Sequence, residues 1–464
     1  QLIHLIRRRK VEVKFDRVLQ AGGTEAVTET AASVTDAQIA FTFTDSGITV
    51  EGSSDGYECN GTVLTIDAAG TYLLSDSCTD GSVKIKKGTT GVRLILSGLS
   101  LTSADTAPIT CNKSSEVVIV AADGTENVLT DAAANNDESN SGNENAENAV
   151  IKCKDGSAVT LCGAGTLTLN AYGKNGIKSG ATTDEEGTAW LVIEDLTLTI
   201  NAPVNDAVNA EASLTVKSGT ITIDAGDDAL HADYALAIGE SGTAGPTITI
   251  SSCYEGLAGA NLLVASGAIT IYSEDDCLNA ANSDLTGYDF TMDITGGTIW
   301  AYAASDDGLD SNGNISFNGG YVFVSQTGGG NGPLDCGDSN NSITYSGGTV
   351  IAAGSSDMFE TPSSYSFLSQ TSVSAGQTIT FTDASGNVLA TFTLPNGSAE
   401  MVMSSKESSV TCYTGGTLSG TTYFASQDDT DRCGYGGTIS GGTTVSASSG
   451  GNGGWGGGGN NRPF

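Results

Sequence analysis

Between Ser218 and Glu400 the sequence contains not one Lys or Arg. With 54 acidic against 19 basic residues, the chain carries a formal charge of −35. Such a surface repels phosphate backbones and anionic headgroups, which excludes nucleic acid and anionic lipid as ready partners. An acidic polysaccharide would need a bridging cation. Histidine is nearly missing, at His4 and His231 alone. There is no CxxC pair, no GxSxG, no HExxH and no phosphate-cradling Gly loop, so zinc ribbons, triad hydrolases, zinc proteases and nucleotide sites lack support. No segment approaches 18 apolar residues, so no membrane insertion is expected. Apolar residues never recur at i, i+3, i+4 and i+7 for three turns, which argues against helices.

What is present is a repeat. An acidic residue precedes a Leu, Ile or Val by two places, as in GDDALHAD around Leu230, EDDCLNAAN around Leu278 and SDDGLDSNG around Leu309. CYEGLAGAN around Leu257 and GNGPLDCGD around Leu334 vary the theme, with fainter copies at Ile177 and Val208. The intervals, 31, 22, 27, 21, 31 and 25 residues from Ile177 onward, are those of a solenoid with variable insertions. Between anchors stand short alternating strands such as Thr220-Ile221-Thr222-Ile223, separated by Gly and Asx turns. The expectation is all-β: a right-handed parallel β-helix with an N-terminal cap and a C-terminal antiparallel β capping segment, each coil touching only its neighbours.

The expected organisation is a leader and cap over 1–55, the parallel β-helix over 56–357, the C-terminal β cap over 358–449 and a Gly-rich flexible tail over 450–464. Gln1–Gln20 holds a basic run around Arg7, Arg8 and Arg9, unlike the rest, and reads as a processed or truncated end. The Asn/Asp/Glu/Ser-rich insert between Asp131 and Asn148 reads as a solvated, disordered loop. Thr378-Ile379-Thr380-Phe381 and Val388–Phe392 read as antiparallel hairpins covering the open end.

Aligning the anchors stacks Asp206, Asp228, Glu255, Asp276 and Asp307 in one column. Asp227, Asp275 and Asp306 stand beside it, and Asp310 and Asp335 follow their anchors by one place. At a strand spacing of ~4.8 Å, two carboxylates repel by roughly 3 kcal/mol at an effective dielectric of 20. Asp at a corner also closes Asx turns, but Asn or Ser would do so without repulsion. Oxygen-only, charge-dense positions suit calcium, and all ten acids are candidate ligands. His231, within the ladder, reads as a turn or supporting residue rather than a catalyst.

In the strand after each Gly turn, Tyr272, Trp300, Tyr302, Tyr321 and Phe323 fall on outward positions of adjacent coils. As an exposed aromatic face they would stack on sugar rings; alternatively the C-terminal segment or a partner folds over them. Ten cysteines are present. Cys111 with Cys153, Cys253 with Cys277 and Cys412 with Cys433 could come together by stacking, or all could be thiols filling core slots. A calcium-dependent lyase would need a base near the acids; the candidates are Lys174, Lys178 and Lys217. TxT pairs such as Thr220/Thr222 leave a structural adhesin or ice-binding solenoid as a third class.

AGTYLLSDSCTDGSVKI, VRLILSGLSLTSADTAPI and GTENVLTD, followed by GDDALHAD, CYEGLAGAN, EDDCLNAAN, SDDGLDSNG and GNGPLDCG, resemble a family of secreted bacterial carbohydrate-binding proteins. These are right-handed parallel β-helices that look like pectate lyases, and the resemblance covers about residues 55 to 360. It implies a non-catalytic binder of cellulose or pectic polygalacturonate, calcium held by the repeated acids, and an extracellular or cell-surface location.

Overall fold

The computed structural model describes residues 37–182, 189–327, 330–337, 341–355, 367–395, 398–405, 407, 409–424, 433–445 and 448–449. The basic start and the Gly-rich tail lie outside these residues. Every element among them is a strand, and 32 strands join one large, mostly parallel sheet.

The chain visits three ladders in turn and returns to each in register. The first runs from Val63–Ile66 through Ser82–Ile85, Ile109–Cys111, Ala149–Cys153, Asn175–Ser179 and Val208–Ala210 to Leu278–Ala280 and Leu309–Ser311. It stacks the anchors directly: Ile177 on Val208, Val208 on Leu230, then Leu257, Leu278, Leu309 and Leu334. The second ladder includes Trp190–Ile193, Ser213–Val216 and Thr291–Ile294. The third includes Thr166–Asn170, Thr197–Ala202, Thr220–Ala225, Thr247–Ser252, Ala268–Ser273 and Thr298–Ala303. One passage through all three is called a rung below.

Alternation explains why these segments are strands. In Thr220–Ala225 the β-branched Ile221 and Ile223 are buried while the intervening Thr, Thr and Asp are exposed. The inward residues of all rungs merge into one core running from Ile39 to Ala352. Between the second and third ladders Gly297, Gly320 and Gly348 stack with positive φ. A Cβ on Gly320 would lie 2.6 Å from the Gly297 carbonyl oxygen, so both conformation and space demand glycine there.

At the far end the pairing changes from parallel to antiparallel. Ser398–Ser405 pairs antiparallel with Ile343–Gly354 and with Phe367–Ser374. A separate six-stranded antiparallel sheet contains Thr378–Thr382, Val388–Thr393 and Thr411–Thr414.

Two expectations need correction. The insert between Asp131 and Asn148 is ordered rather than a disordered loop. Its Asn side chains replace strand hydrogen bonds: Asn135 Nδ2 donates to Asp131 Oδ2 at 2.8 Å and to the Ala149 carbonyl at 2.9 Å, and Asn136 Nδ2 donates to the Gly173 carbonyl at 2.9 Å. The second correction concerns the aromatic face. Register does gather Tyr272 beside Tyr302, and Trp300 beside Phe323. The face is not exposed: Trp300 is 1% and Phe323 0% accessible. They form a second core with Ile379, Phe381 and Phe392 of the antiparallel sheet, against which Tyr272, Tyr302 and Tyr321 also pack. Phe323 lies parallel to Phe392 with centroids 6.0 Å apart, and Tyr321 stacks on Tyr435 at 3.8 Å. Rings of this size lose too much by remaining in water when a second apolar sheet is available.

Candidate functional site

The turn from the third ladder into the first carries the acids. Backbone hydrogen bonds link this turn from rung to rung: the Asp227 N–H donates to the Asn205 carbonyl, Tyr254 to Asp227 and Asp275 to Tyr254. Equivalent positions are therefore held at the spacing of hydrogen-bonded strands.

All ten acids singled out from the sequence converge, in four groups whose ligand oxygens lie within 4.8 Å of one another. The groups are Asp206–Asp227–Asp228, Glu255–Asp275–Asp276, Asp276–Asp306–Asp307 and Asp307–Asp310–Asp335. Asp276 and Asp307 each belong to two, so the last three groups are continuous.

Burial and mutual repulsion work against ionisation here. Burial, then the charges of Asp310 and Asp307, pushes Asp276 up to about 10. Burial and Asp307 raise Asp310 to about 8. Glu255 is raised to about 7 by burial and by Asp228, and Asp206 to about 6 for the same two reasons. Asp275 is raised by burial and by Asp306, its partner on the next rung.

The first group differs because His231 stands over it. Its Nδ1 lies 2.8 Å from Asp228 Oδ2 and its Nε2 3.2 Å from Asp233 Oδ1. Burial opposes its charge, yet the hydrogen bonds to Asp228 and Asp233 and the charges of Asp228 and Asp206 raise its pKa to about 10. An imidazolium thus partly balances Asp206, Asp227 and Asp228. Among the described residues the three groups beyond it have no cationic side chain of their own.

The donor set fits a hard divalent cation. It is all oxygen, charge-dense and without Lys or Arg. One buried atom adds to the fit: Asn279 Nδ2 donates to Glu255 Oε1 at 2.9 Å, while its Oδ1 is buried with no hydrogen-bond partner. A neutral amide oxygen left without a donor beside carboxylates is a further metal-type ligand. A cation of this type would be held by the four groups, with Asn279 assisting the second.

The lysines expected near the acids are engaged. Lys174 pairs with Glu138 at 2.6 Å, Lys178 with Glu211 at 2.9 Å, and Lys217 with Glu194 at 3.5 Å. Sequence reading missed Lys152, which lies in register with Lys178 on the preceding rung. Burial and the Lys178 charge lower its pKa. Its position one place after the anchor Ile151 was the available signal. Asp233 was missed as well, because nothing in the repeat marks it as the second partner of His231.

Of the cysteine pairs, Cys111 and Cys153 do meet as register partners. Both are fully buried free thiols, hydrogen-bonded to each other. Cys253 and Cys277 are also buried free thiols, and the Cys277 thiol lies 3.1 Å from Ser273 Oγ.

Comparison with known proteins finds relatives over parts of the chain. A carbohydrate-binding domain-containing protein of Acetivibrio thermocellus is 32% identical over 157 residues, 34% of this chain and 53% of that protein. The chain thus spans about half the length of this curated relative. A solved structure described as the polysaccharide lyase-like protein from C. thermocellum, gadolinium derivative, is 23% identical, covering 68% of this chain and 93% of that one with a TM-score of 0.35. Residues 60–332, which hold every acid of the four groups except Asp335, match the family model described as carbohydrate-binding domain-containing protein. The chain belongs to this family of carbohydrate-binding domain-containing proteins.

Proposed function

We propose that this protein is a non-catalytic, extracellular or cell-surface binder of plant cell-wall polysaccharide, cellulose or pectic polygalacturonate, that uses calcium on its acid ladder. The observation that carries the reading is the set of four oxygen-only carboxylate groups stacked on successive rungs. We take the three-ladder sheet to be a right-handed parallel β-helix, since parallel crossovers are overwhelmingly right-handed. When bound, calcium would neutralise the acids and offer open coordination positions to sugar oxygens. The protein's own task is to hold those carboxyl groups together and in register, so that a cation finds them converged.

The test is co-sedimentation with cellulose and with polygalacturonate, in calcium and then in EDTA, while absorbance follows unsaturated product. Calcium-dependent retention without product is the expected result. Retention equal in both conditions would remove the metal from the reading, and none in either would remove polysaccharide binding.

A second reading, a calcium-dependent lyase, draws on Lys152. A half-buried lysine with a lowered pKa is the type of group that can take a proton from carbon. Product that disappears in Lys152→Met but persists in Lys217→Met would establish that reading over the first.

A further inference from the structure

With the five-ring face covered by the antiparallel sheet, the sugar-stacking surface must lie elsewhere if the carbohydrate reading holds. Five large apolar side chains are exposed among the described residues: Tyr172, Trp190, Val204, Tyr254 and Tyr423. Three of them share one turn of the fold. Tyr172, Val204 and Tyr254, at 52%, 48% and 45% exposure, all stand between the third ladder and the first. This is the turn that carries the acids.

Tyr254 occupies the same turn position as Asp227 on the rung before and Asp275 on the rung after, as the backbone hydrogen bonds between them require. Its hydroxyl hydrogen-bonds to Asp275, which holds the ring among the acids. Tyr172 is fixed from behind: Asp131 Oδ1 accepts its backbone N–H at 2.7 Å and that of Gly173 at 3.0 Å. The ordered insert closes this end, with Asn136 bonded to Gly173 and Glu138 paired to Lys174. Val204 follows one rung after Tyr172, and Tyr254 two rungs after Val204, so the three span ~14 Å along the stack at a strand spacing of about 4.8 Å. Two exposed rings with an exposed valine between them on equivalent turns mark an interaction edge, and their separation suits an oligosaccharide rather than one sugar ring.

Charge indicates the type of sugar. Beside Tyr254 lie Glu255, Asp275 and Asp276, and beside Val204 lies Asp206. The strand that the Tyr172 turn leads into, Asn175–Ser179, instead carries Lys178, in register with Lys152 on the preceding rung. Lys178 is paired with Glu211, whereas Lys152 has no ion pair among the described residues. A chain of uronates would place carboxylates toward these lysines at one end and toward acid-bound cations at the other. A neutral glycan would use neither.

We propose that Tyr172 and Tyr254 are the stacking rings, with Val204 an apolar contact between them, for a uronate polysaccharide lying along the rungs beside the first two acid groups. This rests on the carbohydrate reading above. It does not use the covered aromatic face.

The experiment measures polygalacturonate and cellulose affinity in calcium for wild type, Tyr172→Ala, Tyr254→Ala and the double variant. Tyr423→Ala, an exposed ring on the antiparallel sheet, is the control. All the rings are on the surface, so circular dichroism and Tm should be unchanged. The expected result is a loss of polygalacturonate affinity of about tenfold per ring, each tenfold being about 1.4 kcal/mol, with Tyr423→Ala like wild type. Wild type binding polygalacturonate while the double variant binds it equally well would overturn the stacking edge and leave the carbohydrate reading standing. Loss confined to cellulose would overturn the uronate assignment. Wild type that binds neither polysaccharide would overturn the underlying reading itself.

Discussion

Asp276 Oδ1 accepts the backbone N–H of Asp307 on the next rung at 2.9 Å. The relationship repeats along the column: Asp206 accepts from Asp228 at 3.2 Å, and Asp307 accepts from Gly332 at 2.6 Å. One carboxylate oxygen of each is thus engaged by the turn of the following rung, while the same residue belongs to an acid group with its neighbours. The turn-closing role of Asp and the ligand role are therefore carried by the same side chains. This is why Asn alone would not serve equally: it would cap the turn but supply no charge.

Calcium should raise stability substantially. Ligand at a hundred times its Kd adds about 2.7 kcal/mol per site to the folded state, so Tm in millimolar calcium should exceed that in EDTA by several degrees. Asp276→Asn with Asp307→Asn, which removes charge from three groups, should shrink that difference. Differential scanning calorimetry reads both.

Without metal, stability should fall as pH rises. Asp276 moves from 3.8 to about 10 and Asp310 from 3.8 to about 8 on folding. Between those values the folded state holds more protons than the unfolded one, so the slope of stability with pH is negative. Their contribution is complete below pH ~4 and is lost as pH climbs through the folded values. His231, raised from 6.5 to about 10, acts in the same sense. Urea midpoints in EDTA should decline from pH 5 to 9, and calcium should flatten the decline. A flat EDTA profile would show that the acids ionise freely.

His231→Gln keeps a hydrogen-bonding side chain but removes the cation between Asp228 and Asp233. Hydrogen bonds to charged partners are worth about 1.5–3 kcal/mol, and a loss in that range is expected in EDTA at pH 7. Calcium should restore part of it, because a bound cation replaces the missing charge at the first group. Equal losses with and without calcium would separate His231 from the acids.

Gly308 stands immediately before the anchor Leu309. A Cβ there would collide with Val324 Cγ2 and lie 2.6 Å from the Pro333 carbonyl oxygen. Gly308→Ala should cost about 1–3 kcal/mol as an overpacked core position. The change should appear in Tm in EDTA as well as in calcium.

Phe323→Ala should cost about 3–5 kcal/mol, the range for emptying a buried aromatic site, by opening the core shared with Phe392 and Phe381. Its polysaccharide affinity at temperatures where it stays folded should match wild type. Lost affinity in a folded variant would return sugar binding to this face.

The anchors, their period and the ten acids were legible in the sequence because a stacked sheet repeats its requirements. Each rung needs an inward Leu, Ile or Val at one place, and a turn that tolerates Asp at another, so spacing alone aligned Asp206 through Asp335. The all-β character followed from alternation in segments such as Thr220–Ala225. Period-two alternation says only which side of a strand is apolar, not what lies against it. Tertiary structure therefore decided the fate of Trp300 and Phe323, since residues far along the chain, from Ile379 to Tyr435, supply the covering sheet. It decided the order of the Asn-rich insert too, because Asn135 and Asn136 find their partners in Asp131, Ala149 and Gly173, two of them distant in sequence. The same is true of Lys152, whose pKa is lowered by burial and by Lys178 on the next rung. Local pattern fixes a repeating backbone; burial and charge between rungs exist only once the rungs are stacked.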